Sequence, residues 1–199
     1  MKKGDREAGH WVNEEYYYPF YEECQRLDLP IVFHIGAGVP DFTPTREFPW
    51  GRFAKLGAPV LHGFFNLVMF GTASRFPGIR WGFIEAGASW VPYLVYDIQR
   101  RIARQRADGA GRGYTYEKPT DIVTKNRFYI TCQVDEDLPY ILRHTTEDHL
   151  VVGSDYTHAD ASAEMDFPRL LRERADKGDI PQSAVQKIAY DNGKVLYGL

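Results

Sequence analysis

Three ionisable side chains stand at the ends of short apolar runs in the sequence. They are His34, Glu85 and Asp155, and each closes a run rich in β-branched and aromatic residues. Imidazole and carboxylate groups are suitable ligands for a divalent metal ion such as zinc, and a carboxylate beside a metal-bound water can accept its proton. The structural alternative is that His34 is hydrogen-bonded in the core and that Asp155 caps the next helix. The spacing alone favours neither interpretation.

Two of the remaining histidines, His158 and His62, are candidates for the site, whereas two others are expected to be structural. His158 follows Asp155 by three residues, so it either reaches the same site or is an ordinary surface-loop histidine. His62 lies in a helical pattern, where it either packs or, at a helix start facing the strand ends, contacts a substrate. His144 and His149 flank a turn before the last apolar run, at the opposite end of the fold, and we expect them to be structural.

Four apolar runs predict the strands that position these groups. Each run is compact and bounded by glycine, proline or charged residues, as buried parallel strands are. The runs are Pro30–Gly36, Ile79–Glu85, Phe128–Val134 and His149–Asp155. Because sites in parallel α/β proteins form at the carboxyl ends of the strands, we expect the polar residues there to share one mouth.

Amphipathic stretches between the runs predict helices. They are Glu14–Leu27, Val60–Arg75, Trp90–Arg106, Leu138–His144, Phe167–Lys177 and Pro181–Tyr197. The resulting order is one helix, then four βα units, with an additional helix near the end. Right-handed crossovers then require a parallel sheet covered by helices, which is an α/β fold.

Two stretches do not follow this alternation and predict long loops. Ala37–Pro59 and Ala107–Asp121 are rich in glycine, proline and charge, so they are either binding loops or disordered segments. The glycine-rich run 109–113 does not follow a strand, which argues against a phosphate-binding role. Arg46, Arg52 and Lys55 could hold a substrate carboxylate, although a solvated charged loop is the simpler interpretation.

Composition narrows the class of protein. The 199 residues include 24 Lys and Arg against 27 Asp and Glu, a net charge of -3, so we expect no nucleic-acid partner. Cys24 and Cys132 lie in apolar patterns, which is typical of free thiols in a reducing compartment. The N-terminus lacks the apolar segment of a secretory signal, and no apolar run approaches the length of a membrane span. We therefore expect one cytoplasmic domain, residues 1–199, with no membrane partner.

Several motifs together resemble the amidohydrolase-related family. This family contains metal-dependent (β/α)₈-barrel hydrolases and decarboxylases, and the similarity is to the branch of aminocarboxymuconate-semialdehyde decarboxylase. The motifs are Tyr18–His34, Phe76–Leu94, Val152–Asp160 and Asn192–Leu199. The resemblance implies a partial barrel of about four C-terminal βα units. It also implies hydrolysis or decarboxylation of a small carboxylated or cyclic compound.

The resemblance implies roles for individual residues. His34 matches the metal histidine of the fifth barrel strand, and Asp155 matches the carboxylate of the eighth strand, which binds metal or takes a proton from its water. Glu85 stands where characterised decarboxylases of the family have a histidine, and it is expected to transfer protons. His62 and His158 are expected to bind substrate. The implied cofactor is a divalent ion, with zinc as the expected metal, and the implied assembly is a homodimer.

One departure from the family concerns its first strand. Family members begin with a His-x-His pair that supplies two metal ligands, and no His-x-His occurs in the 199 residues. A complete barrel also needs about 250 residues. We therefore expect the chain to correspond to the C-terminal half of such an enzyme, with little activity by itself. The alternative is a small α/β domain that binds a ligand or partner without catalysis.

Overall fold

The protein is described here from a computed structural model that covers residues 6–7, 9–35, 57–107, 116–158 and 163–199. Most of the predicted loop Ala37–Pro59, with its Arg46, Arg52 and Lys55, lies outside the described residues, as do the glycine-rich run 109–113 and Asp160.

The centre of the fold is a four-stranded parallel sheet. Its strands are β3, β4, β5 and β6, and they lie side by side in chain order. Their bounds are Ile31–His34, Trp81–Ile84, Phe128–Cys132 and Leu150–Val152. Each strand lies within one of the four predicted runs, so the prediction of an α/β fold with a parallel sheet is confirmed. A separate antiparallel hairpin precedes the sheet, formed by β1 (Arg6–Glu7) and β2 (His10–Trp11).

Helices connect the strands and cover the sheet. The first four are α1 (Tyr18–Arg26), α2 (Ala58–Met69), α3 (Thr72–Arg75) and α4 (Val91–Ala107). They are followed by α5 (Thr120–Thr124), α6 (Leu138–Thr145), α7 (Phe167–Asp176), α8 (Gln182–Gln186) and α9 (Asn192–Tyr197). Five of these helices begin with a proline in the first turn, where its missing N–H costs nothing. These prolines are Pro19, Pro59, Pro92, Pro139 and Pro168.

Two predicted helices differ from the observed ones. The predicted helix Val60–Arg75 is divided into α2 and α3 because Gly71, at φ 77°, stops the first helix. The predicted helix Pro181–Tyr197 contains a π-helical segment, Lys187–Asp191, between α8 and α9. Asn192 directly follows this wide turn, and its side-chain amide donates hydrogen bonds to two main-chain carbonyls near β6. Such segments are sequence-specific adjustments that periodicity does not reveal.

The main hydrophobic core lies between the sheet and its helices. Aromatic side chains from three neighbouring strands meet there, with Phe33, Phe83 and Phe128 fully buried. Their ring centroids are 5.4 Å apart for Phe33 and Phe83 and 5.0 Å apart for Phe83 and Phe128. Phe64 of α2 packs onto this row, with its centroid 5.1 Å from that of Phe83. These contacts hold the strands in register and so fix the relative position of their ends.

The opposite face of the sheet carries a smaller cluster. Tyr129 and Val151 alternate with core-facing residues along their strands and pack with the fully buried Leu196 of α9. The buried Arg80 fastens this end of the chain, since its Nε donates to the Leu196 carbonyl at 2.9 Å. Its Nη2 donates to the Asp28 carbonyl at 2.6 Å, and its Nη1 to Asp28 Oδ1 at 2.5 Å.

Two further findings concern the composition-based expectations. Cys24 and Cys132 are buried free thiols, as predicted. Among the helices that the structure describes, none combines the length and the apolar character that crossing a lipid bilayer requires.

Candidate active site

The carboxyl ends of the strands bring four of the predicted site residues together. His34 ends β3, and its Nε2 lies 2.9 Å from Oε2 of Glu85, the residue after β4. His158 Nδ1 lies 2.5 Å from Asp155 Oδ1 and 3.9 Å from Glu85 Oε1. Glu85 therefore lies between the two histidines, with Asp155 beside it. The alternative that His34 is a core histidine is wrong, since its side chain is 51% exposed.

The tautomer of His34 follows from its second ring nitrogen. Nδ1 lies 2.6 Å from the Ile35 carbonyl oxygen, and because a carbonyl only accepts hydrogen bonds, Nδ1 carries a proton. Nε2 is then the atom that faces Glu85. A histidine that donates one ring N–H to a main-chain carbonyl and offers the other nitrogen has the arrangement usual for metal-binding imidazoles.

Both carboxylates are presented by unusual backbone. Glu85 has φ 68° and Asp155 has φ 47°, the left-handed region that residues other than glycine rarely adopt. This conformation costs roughly 1–2 kcal/mol per residue. The surrounding fold sustains the cost, and one visible support is the hydroxyl of Thr131 on β5, which accepts the Glu85 N–H at 2.9 Å. Turning the chain sharply at these points directs both side chains back towards the strand ends.

Burial perturbs the Glu85 carboxyl. Its side chain is 16% exposed, and this desolvation raises the pKa of the Glu85 carboxyl above its usual range. Positive charge on His34 acts in the opposite direction and His158 does so more weakly, whereas the negative charge of Asp155 and a hydrogen bond with it raise the pKa of Glu85 further. Burial and the neighbouring Asp155 therefore act together on the Glu85 carboxyl, and both favour its protonated form.

The site opens into a small cleft of about 150 Å³. This volume is smaller than that of a typical pocket for a whole small molecule, about 300–1,000 Å³. It accommodates an ion with a few waters or the carboxylate end of a substrate. The polar side chains along its wall are those of His34, Glu85, Thr131, Gln133, Ser154 and Asp155.

The same side chains fit a divalent metal ion. One ligand atom each from Glu85, Asp155 and His158 lies within 4.8 Å of the others. Two ligands of one ion, each about 2.0–2.2 Å from it, lie within about 4.4 Å of each other, so small side-chain adjustments bring these atoms into one coordination sphere. In the described part of the chain, Glu85 Oε2 is buried without a hydrogen bond of normal geometry. A buried carboxylate oxygen without such a hydrogen bond, surrounded by other imidazole and carboxylate groups that can act as metal ligands, is suited to bind a cation.

The other predicted histidines lie elsewhere. His62 is on α2, where its ring packs edge-on against Trp11 with centroids 5.3 Å apart, and it is not among the described residues that line the cleft. Its role in substrate binding stays a prediction. His144 lies within α6, and His149 lies directly before β6. Their Nδ1 atoms contact the main-chain carbonyls of Tyr140 and Phe128, as expected of structural histidines.

Sequence reasoning missed several residues around the site. Thr131 lies near the end of β5 and Gln133 directly follows it, in a predicted run that contains no charged group, and Ser154 follows β6. Glu136 was also missed, although its carboxylate accepts hydrogen bonds from the loop that follows β4. The hydroxyl of Thr131 within an apolar strand was the one available signal, since alternation places it on the face opposite the core.

The fold and the motifs define the class of this protein. The chain belongs to the amidohydrolase family, whose family model matches residues 3–199. The resemblance inferred from the motifs is therefore confirmed. A comparison with curated proteins gives no match.

Solved structures with the same fold include two decarboxylases and an amidohydrolase. The 5-carboxyvanillate decarboxylase from Sphingomonas paucimobilis is similar with a TM-score of 0.76 and 14% identity, over 98% of this chain and 57% of that one. The enzyme of the same name from Novosphingobium aromaticivorans DSM 12444, in complex with manganese and 4-hydroxy-3-methoxy-5-nitrobenzoic acid, has a TM-score of 0.74 and 17% identity, over 100% of this chain and 56% of that one. An amidohydrolase from Mycobacterium avium subsp. paratuberculosis K-10 has a TM-score of 0.74 and 19% identity, over 93% of this chain and 46% of that one.

These likenesses concern the fold, and the chain spans about half the length of the structures that it matches. The predicted partial (β/α)₈ barrel with four βα units is confirmed.

Proposed function

We propose that this protein is a metal-dependent decarboxylase that acts on a small carboxylated aromatic compound. The observation that carries the proposal is the meeting of His34, Glu85, Asp155 and His158 at the carboxyl ends of the parallel strands. Two of the solved structures with this fold are named as decarboxylases of 5-carboxyvanillate, which supports this substrate class.

His34 and Asp155 are the residues that would hold the metal, with Glu85 and His158 within reach of it. A divalent ion bound there would supply the positive charge that orients the carboxylate of the substrate. Zinc is the ion predicted from the imidazole and carboxylate ligands, whereas the structure from Novosphingobium aromaticivorans contains manganese. Both ions are therefore included in the test below.

Glu85 is proposed to be the proton donor. In the reaction, the bond between the ring carbon and the carboxylate breaks, its electron pair stays on the ring carbon, and CO₂ leaves. The carboxyl proton of Glu85 then passes to that carbon, and solvent returns a proton to Glu85. Burial and the neighbouring Asp155 raise the pKa of Glu85, which supports this role because the donor must be protonated before each turnover. His158, hydrogen-bonded to Asp155, is proposed to contact the substrate together with His62.

Hydrolysis of a small cyclic compound is the second candidate function. It is favoured by Glu85 itself, because a carboxylate stands where decarboxylases of the family have a histidine. In this alternative, Asp155 takes the proton from an attacking water. Analysis of the products separates the two candidates, since only decarboxylation releases CO₂.

The proposal is tested first by metal binding, because binding does not depend on how fast the chain turns over. The purified, metal-stripped chain is titrated with Mn²⁺ and with Zn²⁺ by calorimetry. We expect one ion per chain, and we expect His34→Ala and Asp155→Asn to weaken binding by more than the 10- to 100-fold that is typical of a lost outer partner. Asp176→Asn on α7 and His10→Ala on β2 serve as controls, and both should bind like the unaltered chain.

Turnover is tested next with 5-carboxyvanillate and 2,6-dihydroxybenzoate by measuring CO₂ release with and without added ion. CO₂ release that requires the ion and disappears in Asp155→Asn supports the proposal and contradicts the expectation that the chain has little activity by itself. A chain that binds neither ion, or an Asp155→Asn variant as active as the unaltered chain, refutes it. A chain that binds neither ion and releases no CO₂ would favour the non-catalytic binding domain.

Location and assembly are part of the proposal. The buried free thiols of Cys24 and Cys132 support a reducing compartment, so we propose the cytoplasm. A homodimer is the assembly implied by the family resemblance, and sedimentation equilibrium tests it.

A further inference from the structure

We infer that Thr131 and Glu136 are positioning residues that set the backbone of the loop carrying Glu85. Thr131 lies on β5 and Glu136 in the loop that follows it, and among the four described strands of the sheet β5 is followed by no ionisable group of the site. The inference rests on the proposed function, in which Glu85 transfers a proton.

Thr131 holds the beginning of the loop. Its side chain lies on the face of the sheet opposite the main core and is almost buried, with 5% of the residue exposed. The hydroxyl Oγ1 accepts the N–H of Glu85 at 2.9 Å and lies 3.4 Å from the Phe83 carbonyl, to which it donates. The Thr131 hydroxyl on β5 therefore bonds to two main-chain groups at the end of β4, the Phe83 carbonyl and the Glu85 N–H. Glu85 is the residue at which the backbone enters the left-handed conformation.

Glu136 holds the remainder of the loop. Its carboxylate accepts the main-chain N–H of Ala88 at 2.9 Å and the N–H and Oγ–H of Ser89 at 2.7 and 2.6 Å. It also accepts the N–H of Gln133 at 2.8 Å, which ties it to its own loop. The loop passes so close that a Cβ atom on Gly87 would lie 2.9 Å from Glu136 Oε1. An anionic acceptor that binds four donors gives stronger hydrogen bonds than a neutral one would.

The position of Glu136 is itself fixed from a third element. Arg174 of α7 donates through Nη1 to the main-chain carbonyls of Val134 and Glu136, at 2.7 and 2.6 Å. A continuous set of hydrogen bonds therefore runs from α7, through the loop after β5, to the loop after β4. Glu85 is the first residue of the loop after β4, which these hydrogen bonds hold in place.

The arrangement acts on the site because Glu85 would otherwise leave its present conformation. A residue with φ 68° relaxes towards negative φ unless its neighbours prevent it, and such a rotation moves the carboxylate away from His34. A displacement of about 1 Å at a reacting group lowers rates by roughly 100-fold. Thr131 and Glu136 hold both sides of the turn and so keep the Glu85 carboxylate 2.9 Å from His34 Nε2.

The test uses matched pairs of variants. Thr131→Val removes the hydroxyl with little change of shape, and Thr131→Ser restores it. Thr145→Val is the control, since Thr145 is fully buried in α6 and, among the residues that the structure describes, its hydroxyl bonds to Ile141 of the same helix. Glu136→Gln removes the charge of the acceptor, and its control is Glu147→Gln, because Glu147 likewise accepts several hydrogen bonds but contacts the C-terminal helices.

Hydrogen exchange of single amides, followed by NMR, gives a readout that is independent of metal and activity. We expect the Glu85 amide to exchange about 2- to 10-fold faster in Thr131→Val, the amount that a lost hydrogen bond predicts. We expect the Ala88 and Ser89 amides to do the same in Glu136→Gln. In Thr131→Ser, Thr145→Val and Glu147→Gln, these amides should exchange as slowly as in the unaltered chain. All variants are compared under conditions equally far from their own unfolding midpoints.

Activity gives the second readout. With Mn²⁺ saturating, we expect kcat to fall about 10- to 100-fold in Thr131→Val and Glu136→Gln, with KM changed less than kcat. Thr131→Ser should recover kcat to within a few-fold, and both controls should keep it. Unchanged Glu85 exchange in Thr131→Val overturns the inference, as does an equal loss of kcat in Thr145→Val, which would make stability the cause. If the unaltered chain shows neither ion binding nor turnover, the proposed function fails, while the exchange data still decide whether these residues hold the loop.

Discussion

Substitution of Arg80 tests how much its buried hydrogen bonds stabilise the fold. Its guanidinium is buried, and it connects the segment before β3 with α9, whose Leu196 lies 116 residues from Arg80 along the chain. The perturbation is Arg80→Met, which keeps an unbranched chain of similar length but removes every donor. The Leu196 carbonyl and the Asp28 carbonyl then lose their partners, and the first of these lies in the interior.

The magnitude follows from the bonds that are lost. A hydrogen bond from a charged donor contributes about 1.5–3 kcal/mol, so the two carbonyl bonds together contribute roughly 3–6 kcal/mol. The third bond, to the Asp28 carboxylate, adds little, because that side chain is 73% exposed and water screens it. A typical domain is stable by only about 5–15 kcal/mol, so the variant is expected to be close to unfolding.

Urea denaturation followed by circular dichroism measures the free energy of unfolding, provided that the m-value is unchanged. Asp28→Asn is the first control, since it removes the exposed carboxylate but retains the carbonyl, and it should cost much less than Arg80→Met. Arg169→Met is the second, because the ion pairs that Arg169 forms within the described part of the chain are with exposed carboxylates. The reasoning is refuted if Arg80→Met lies within about 0.5 kcal/mol of the unaltered chain, as an ordinary surface substitution does, or if Asp28→Asn costs as much.

Two further predictions concern pH and close packing. Burial lowers the pKa of His149 in the folded state, so the unfolded chain binds the proton more readily and stability decreases as the pH falls below about 6.5. Unfolding free energies between pH 8 and 5 should therefore decrease more steeply for the unaltered chain than for His149→Gln, and parallel profiles would contradict this. Gly153→Ala places a Cβ atom 2.8 Å from the Cys132 carbonyl oxygen, which cannot move aside, whereas Gly193→Ala meets only an ordinary contact at 3.8 Å. We expect urea unfolding to show a loss of roughly 1–3 kcal/mol in the first variant and none in the second, and equal effects would count against the packing argument.

The strands and their polar ends were predictable because their signals are local. The run Phe128–Val134 contains the observed strand Phe128–Cys132, since a strand buried on both faces is a continuous apolar segment. Parallel pairing then requires the strand ends to meet, which is why His34 and Glu85 could be placed together from the sequence.

Other parts of the site depend on contacts that the sequence does not display. Glu136 stands in a polar loop, and its partners Ala88 and Ser89 lie more than 40 residues away along the chain. His158 reaches Asp155 only because the chain curls back through Thr157 at φ 77°. For His62 the helix was predicted, but the rotation of that helix about its axis, which turns the ring towards Trp11, is set by packing.

The left-handed turns at Glu85 and Asp155 have a consequence for protein engineering. Glycine at either position would adopt the same backbone without the steric penalty, and asparagine with a smaller one, so a library selected only for heat resistance would accumulate these replacements. Under the proposed function, the same library selected for chemistry would discard them, because each replacement deletes a carboxylate. The ranking of variants at these two positions should therefore invert between the two selections.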